Sequence, residues 1–102
     1  MAGRTPTKVT HALRDLGENL RDWRRLNRLS QAMIAERANI SVQTLRAIEM
    51  GSGSISSENL FRVLHVMGLL EAIVAPSDPL SSPVGQARAA EELPQRVRRA
   101  AA

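Results

Sequence analysis

Gln43 and Arg46 lie three residues apart, on one side of any helix that contains both, and Val42 sits beside them. The chemistry open to such a set is recognition. A glutamine amide matches the donor and acceptor on an adenine edge, a guanidinium pairs with guanine or with phosphate, and a valine packs on a thymine methyl. The hydroxyls of Ser41, Thr44, Ser52 and Ser54 are of the type that holds DNA phosphates and so sets register without reading sequence. Nothing comparable points to catalysis. The chain has no cysteine, which removes thiolate nucleophiles, thiolate metal sites and disulfides. His65 has no ligand companion four residues away, and His11 is far from it in sequence. Glu91 and Glu92 are adjacent on a solvated stretch, with no nucleophile and base to serve. The expectation is a protein that is not an enzyme and needs no cofactor and no metal. Trp23 and Phe61 are the only aromatics, too few for the stacking platforms that bind single-stranded RNA.

The reading residues need a rigid mount, and the stretch from Leu29 to Gly51 has the pattern of one. Ser30 is placed to cap a helix whose Ile34, Ala35 and Ala38 share a face. Asn39 tolerates the positive φ of a tight turn. Ser41 is placed to cap a second helix with Leu45 and Ile48 on its apolar side, and Gly51 closes it. Two helices joined by a three-residue turn make a helix-turn-helix. Upstream, Leu13, Leu16, Leu20 and Trp23 predict an amphipathic helix over about residues 13–28, with Trp23 in the core. Downstream, the Gly-rich loop from Gly51 to Ser56 lacks the Gly-Lys-Ser/Thr ending of a nucleotide-binding loop, and Ile55 would anchor it. Ser56 caps a fourth predicted helix, residues 57–67, with Leu60, Val63, Leu64 and Met67 inward and Gly68 at its end.

Leu29-Ser30-Gln31, Ala35, Ser41, Thr44-Leu45 and Glu49-Met50-Gly51 resemble the helix-turn-helix of the phage-repressor (Xre) family over about residues 16–70. The sequence departs where that family favours Gly, at Arg28 and at Asn39. The resemblance implies an all-α fold, a compact five-helix lambda-repressor-like domain. It implies that Gln31 meets a DNA phosphate or the recognition helix, and that Arg24 pairs with Glu49 to orient that helix. It also implies a two-fold contact after the fourth helix. Leu69, Leu70, Ile73 and Val74 are the candidates for a homodimer contact, since that patch left exposed invites aggregation. Ala-Ile-Val at 72–74 fits either a short helix or a strand paired across the dimer. The run from Glu58 to Ile73, a Pro/Ser linker and a basic C-terminus are similar to the small antitoxins of the HipB type, encoded beside a HipA-type toxin kinase.

Length and charge bound the rest. A domain of this size buries only ~60–65% of its unfolded surface, so a partner subunit would help it. The net charge of +4 is uneven. Residues 1–28 carry seven Lys or Arg against three acids, residues 29–75 three against four, and residues 76–102 four against three. Positive charge flanking a recognition helix suits phosphate contact. The expected organisation is an arm at 1–12, the DNA-binding domain at 13–75, and a tail at 76–102. Arg4 and Lys8 could lie along DNA, or the arm could have no role. The tail holds a Pro/Ser linker, a short helix over about residues 83–93 that Pro94 stops, and Arg96, Arg98 and Arg99 for an acidic partner or DNA. No secretory signal and no membrane span are expected, since Arg62, His65 and Glu71 interrupt the most apolar stretch; the location is taken as cytoplasmic. The function that follows is a sequence-specific repressor of a double-stranded operator, acting as the antitoxin of a type II toxin–antitoxin pair that autoregulates its operon. The alternative is a stand-alone Xre-type regulator.

Overall fold

The computed structural model describes residues 3–101, which are all-α with no strand among them. Seven helices follow in order: α1 Thr7–Leu26, α2 Gln31–Ala38, α3 Val42–Glu49, α4 Ser57–Val66, α5 Leu70–Val74, α6 Pro83–Glu92 and α7 Pro94–Ala101. The chain divides into two compact units, the first ending at Leu69 and the second beginning at Leu70.

In the first unit, helix starts and ends are chemically explicit. The Ser30, Ser41 and Ser56 hydroxyls accept from the backbone N–H of Met33, Thr44 and Asn59 at 3.0–3.1 Å, capping α2, α3 and α4. All four helices end with a residue in the left-handed region: Arg28 (φ 57°), Asn39 (φ 56°), Gly51 (φ 80°) and Gly68 (φ 75°). In each case the next N–H reaches back five residues, as Leu29 N–H does to the Arg24 carbonyl at 3.0 Å. Gly51 is needed for a second reason: a Cβ there would stand 2.7 Å from the Arg14 Cα. The same left-handed turn therefore punctuates the domain four times, twice without glycine.

Leu20, Ile34, Ala35, Ala38, Leu45, Ile48, Val63 and Leu64 form the core. Helix α2 packs on α3 and α4, and α1 packs on α3. Close approach of α1 to α3 depends on Gly17, where a Cβ would sit 2.5 Å from the Ile48 carbonyl oxygen. Leu13, Leu16, Ile55 and Leu60 surround a small apolar hollow beside this crossing, so Ile55 does hold the loop after α3.

Two expectations about α1 are corrected. Residues 7–12 are helical, not an arm: nothing between Thr7 and Ala12 breaks a helix, and Pro6 sets the start. Trp23 is 48% exposed rather than core. The buried line of α1 runs through Gly17 and Leu20 to Arg24, which turns Trp23 onto the flank.

In the second unit, residues 70–74 are helical, which decides against the strand. Short 3-10 turns at Ala75–Ser77 and Pro79–Ser81 follow. Ser82 caps α6 through the Gly85 N–H at 3.0 Å, with Pro83 as its first residue. Gly85, which weakens a helix by propensity, is required here because a Cβ would collide with the Pro79 carbonyl. Pro94 does not end the helical structure. It starts α7, since proline's fixed φ suits a first turn and its missing N–H is unused there. Ala89 is the one buried apolar residue of this unit among those described.

Candidate nucleic-acid interface

The recognition helix α3 buries Leu45, Ile48 and Glu49 and turns its other side outward. Gln43 and Arg46 are exposed, Val42, Thr44 and Ala47 half-buried, and Met50 at the C-terminal end is 78% exposed. A buried Glu would oppose this packing were it unpaired. Instead, Arg24 Nε donates to Glu49 Oε2 at 2.7 Å and Arg24 Nη2 to Glu49 Oε1 at 3.0 Å, a bidentate pair. Gln31 Nε2 donates to the same Oε1 at 3.0 Å, and Arg24 Nη1 to the Leu29 carbonyl at 3.0 Å. Three helices are thereby tied at one carboxylate: α1 through Arg24, α2 through Gln31, α3 through Glu49.

Burial pushes the Glu49 carboxyl up, but hydrogen bonds from Arg24 and Gln31, with the charges of Arg24 and Arg21, outweigh it and hold the group below the usual carboxylate range. The Glu49 hydrogen bond raises Arg24 above its ordinary value against the opposing effect of burial. The pair is charged at neutral pH, and its geometry fixes how α3 is presented.

The hydroxyls are differently placed. Ser41 Oγ caps α3 and donates to Thr44 Oγ1 at 2.8 Å, so these two satisfy each other at the helix start. Ser52 and Ser54 share a hydrogen bond of 2.8 Å in the loop after α3, and Ser54 N–H donates to Ser52 Oγ at 3.2 Å. Gln31 directs one amide N–H to Glu49. Leu69 ends the first unit, half-buried; Leu70 is half-buried in α5, while Ile73 and Val74 are 44% and 45% exposed.

Arg21 and Arg25 were not among the residues singled out from sequence. Both line an open hollow with Arg46, Met50 and Gln31, floored by the Arg24–Glu49 pair. The signal was present: Arg21, Arg24 and Arg25 fall within five residues, so placing Arg24 against α3 brings the other two close by.

Residues 20–72, just over half of the chain, match the helix-turn-helix family HTH_3, and the chain belongs to this Xre-type family. It is accordingly a DNA-binding transcription regulator. No curated protein and no solved structure matches the chain. Among the described residues, no helix is long and apolar enough to cross a membrane.

Proposed function

We propose that the protein is a sequence-specific repressor that binds a double-stranded operator as a homodimer. The observation that carries this reading is the outward face of α3, where Gln43 and Arg46 stand exposed on a helix tied to α1 and α2 through Glu49. Gln43 reads a base edge and Val42 contributes an apolar contact at the helix start. Arg46 has two uses, a guanine edge or a phosphate. Ser41, Thr44, Ser52, Ser54 and Gln31 border this face; the Ser52–Ser54 loop is the nearest to a ready phosphate contact, since both its hydroxyls are exposed to exchange partners. The dimer contact is assigned to Leu69, Leu70, Ile73 and Val74, two of which are nearly half exposed.

The test is selection of a binding site from random duplexes, then affinity at fixed salt. Gln43→Ala is expected to cost ~1–3 kcal/mol on the selected site and far less on random DNA. Equal loss on both would remove Gln43 as a reader. Footprinting then asks for two half-sites roughly 34–36 Å apart, and a single short site bound by a monomer would sink the dimer.

A further role in binding a toxin, as the antitoxin of an operon it represses, is supported by the second unit. The family match stops at residue 72, yet the chain continues into α6 and α7, with Val84 and Leu93 exposed on this unit. Arg96 is already engaged by Asp78 at 2.6 Å, which leaves Arg98 and Arg99 for an acidic partner. Truncation after Ala75 should abolish co-purification with the product of a neighbouring kinase-like gene and leave operator affinity intact. Retained co-purification would move toxin binding to the first unit.

A further inference from the structure

We propose that Arg21, Arg25 and Arg46 converge as a clamp on one backbone phosphate of the bound duplex, so that Arg46 anchors the DNA backbone and does not read a base. The inference rests on the DNA-binding reading above and assigns it a contact that α1 supplies.

Three observations carry it. First, the three arginines line one hollow, although they come from two helices. Second, none is neutralised in place. The ion pairs among the described residues are Arg24–Glu49, Arg62–Glu58 and Arg96–Asp78, and none includes these three. Third, the one carboxylate in the hollow is already paired with another arginine. Glu49 Oε2 takes Arg24 Nε, and Oε1 takes Arg24 Nη2 and Gln31 Nε2. The floor of the hollow is therefore internally balanced, and its rim holds three exposed positive charges that repel one another.

Such a rim calls for a full negative charge. A base edge offers only neutral acceptors and would satisfy one guanidinium, while a phosphodiester presents a charged pair of oxygens that matches the guanidinium fork. Gln31, which shares this hollow, already donates to Glu49 and carries no charge, so neutralising a phosphate falls to the arginines. A free small anion gains little at an exposed site in water. A phosphate held in a duplex gains the release of condensed counterions as well, which favours DNA as the source. The clamp also explains the place of the Arg24–Glu49 pair. It fixes α1 against α3, and so fixes Arg21 and Arg25 against Arg46.

The test is the salt dependence of binding to a random-sequence duplex and to a selected duplex, between about 50 and 200 mM salt. Three arginines sharing one phosphate count once. The triple variant R21Q/R25Q/R46Q is expected to lower the slope of log K against log salt by about 0.9, whereas three separate phosphate contacts would lower it by about 2.7. Each single variant should weaken binding by the same factor on both duplexes. Arg37→Gln, at an exposed arginine outside the hollow, should leave the slope unchanged. Circular dichroism melts of each variant check that the fold is kept, and the Lys triple at the same positions should retain the slope.

An unchanged slope in the triple variant overturns the clamp, and so does a loss of about 2.7. A loss in R46Q confined to the selected duplex returns Arg46 to base reading. A slope lowered equally by Arg37→Gln reduces the effect to overall charge. Saturable shifts of the Arg46 amide resonance with millimolar inorganic phosphate would reassign the hollow to a small anion. A wild-type chain that binds no duplex at low salt would overturn the DNA reading itself, a result distinct from a wild type that binds while its variants keep the full slope.

Discussion

Through Leu69, eight apolar side chains are buried and the one buried charge is paired and hydrogen-bonded on both oxygens. From Leu70 onward the described residues are just as helical, yet Ala89 alone is buried, and the unit is held by capping serines, proline turns and one exposed ion pair between Asp78 and Arg96. Similar secondary structure thus rests on different physics in the two regions. Burial of large apolar groups is worth about 1.5–3 kcal/mol per side chain, whereas caps and exposed ion pairs each contribute about 1 kcal/mol or less. The first region can hold a recognition helix at a fixed angle. The second has little buried apolar surface to oppose local opening.

The sharpest way to break this contrast is to cut one residue from each core. Leu64→Ala, at a fully buried site, is expected to cost ~2–5 kcal/mol by urea denaturation. Ala89→Gly is expected to cost about 1 kcal/mol, mostly through helix propensity. Comparable shifts in the main unfolding transition would show that the second region has a core as important as the first.

Arg24→Met should cost about 3 kcal/mol at neutral pH, because it leaves Glu49, with a side chain only 4% exposed, short of its charge partner. The sign with pH follows from the depressed Glu49 pKa. The wild-type contribution is present above the unfolded value of about 4.3 and is lost as pH falls through the lower folded value. In the variant, acid neutralises a carboxylate that burial already disfavours. The stability gap between the two proteins should therefore narrow as pH falls through the carboxylate range, beginning above the ordinary value where the unpaired Glu49 of the variant takes its proton. A gap that stays constant into acid would mean that Arg24 acts by packing.

Two glycines at close backbone contacts offer a matched pair. Gly17→Ala forces α1 from α3 and should cost about 1–3 kcal/mol, with weaker DNA binding because Arg24 moves too. Gly85→Ala also meets a backbone carbonyl, but hydrogen exchange should show protection lost only within the second unit. Global loss in the Gly85 variant would merge the two units into one cooperative structure. The smallest effect is expected at Arg28, a non-glycine residue at φ 57°. Arg28→Gly relieves a left-handed strain of about 1–2 kcal/mol and loses part of that to backbone entropy. The net gain should be below about 1 kcal/mol, read as a small rise in Tm; a fall would show that the Arg28 side chain stabilises the turn.

Much of the first region was legible because its signals are local. A serine before a helix, an Asn or Gly after it and a repeating apolar stripe act within four or five residues, so α2, α3 and α4 lie within a residue or two of where the pattern put them. Helix α1 was legible as a helix but not in its rotation. Periodicity put Trp23 with the leucines, while the packing chose Gly17, Leu20 and Arg24. Pro94 misled for a related reason: proline both stops a helix and starts the next, and only the following turn shows which.

The sequence alone determined that this chain is all-α, carries a helix-turn-helix and belongs with Xre-type regulators, because capping, turn and stripe chemistry are written in adjacent residues. Only the tertiary structure decided what meets across elements. It brought Arg24 and Gln31 to one carboxylate of Glu49, and set Arg21 and Arg25 on the rim they share with Arg46. Gly17 shows the reason. Which face of α1 turns inward is set by how closely two helix backbones can approach, a relation between Gly17 and Ile48 that no local pattern encodes.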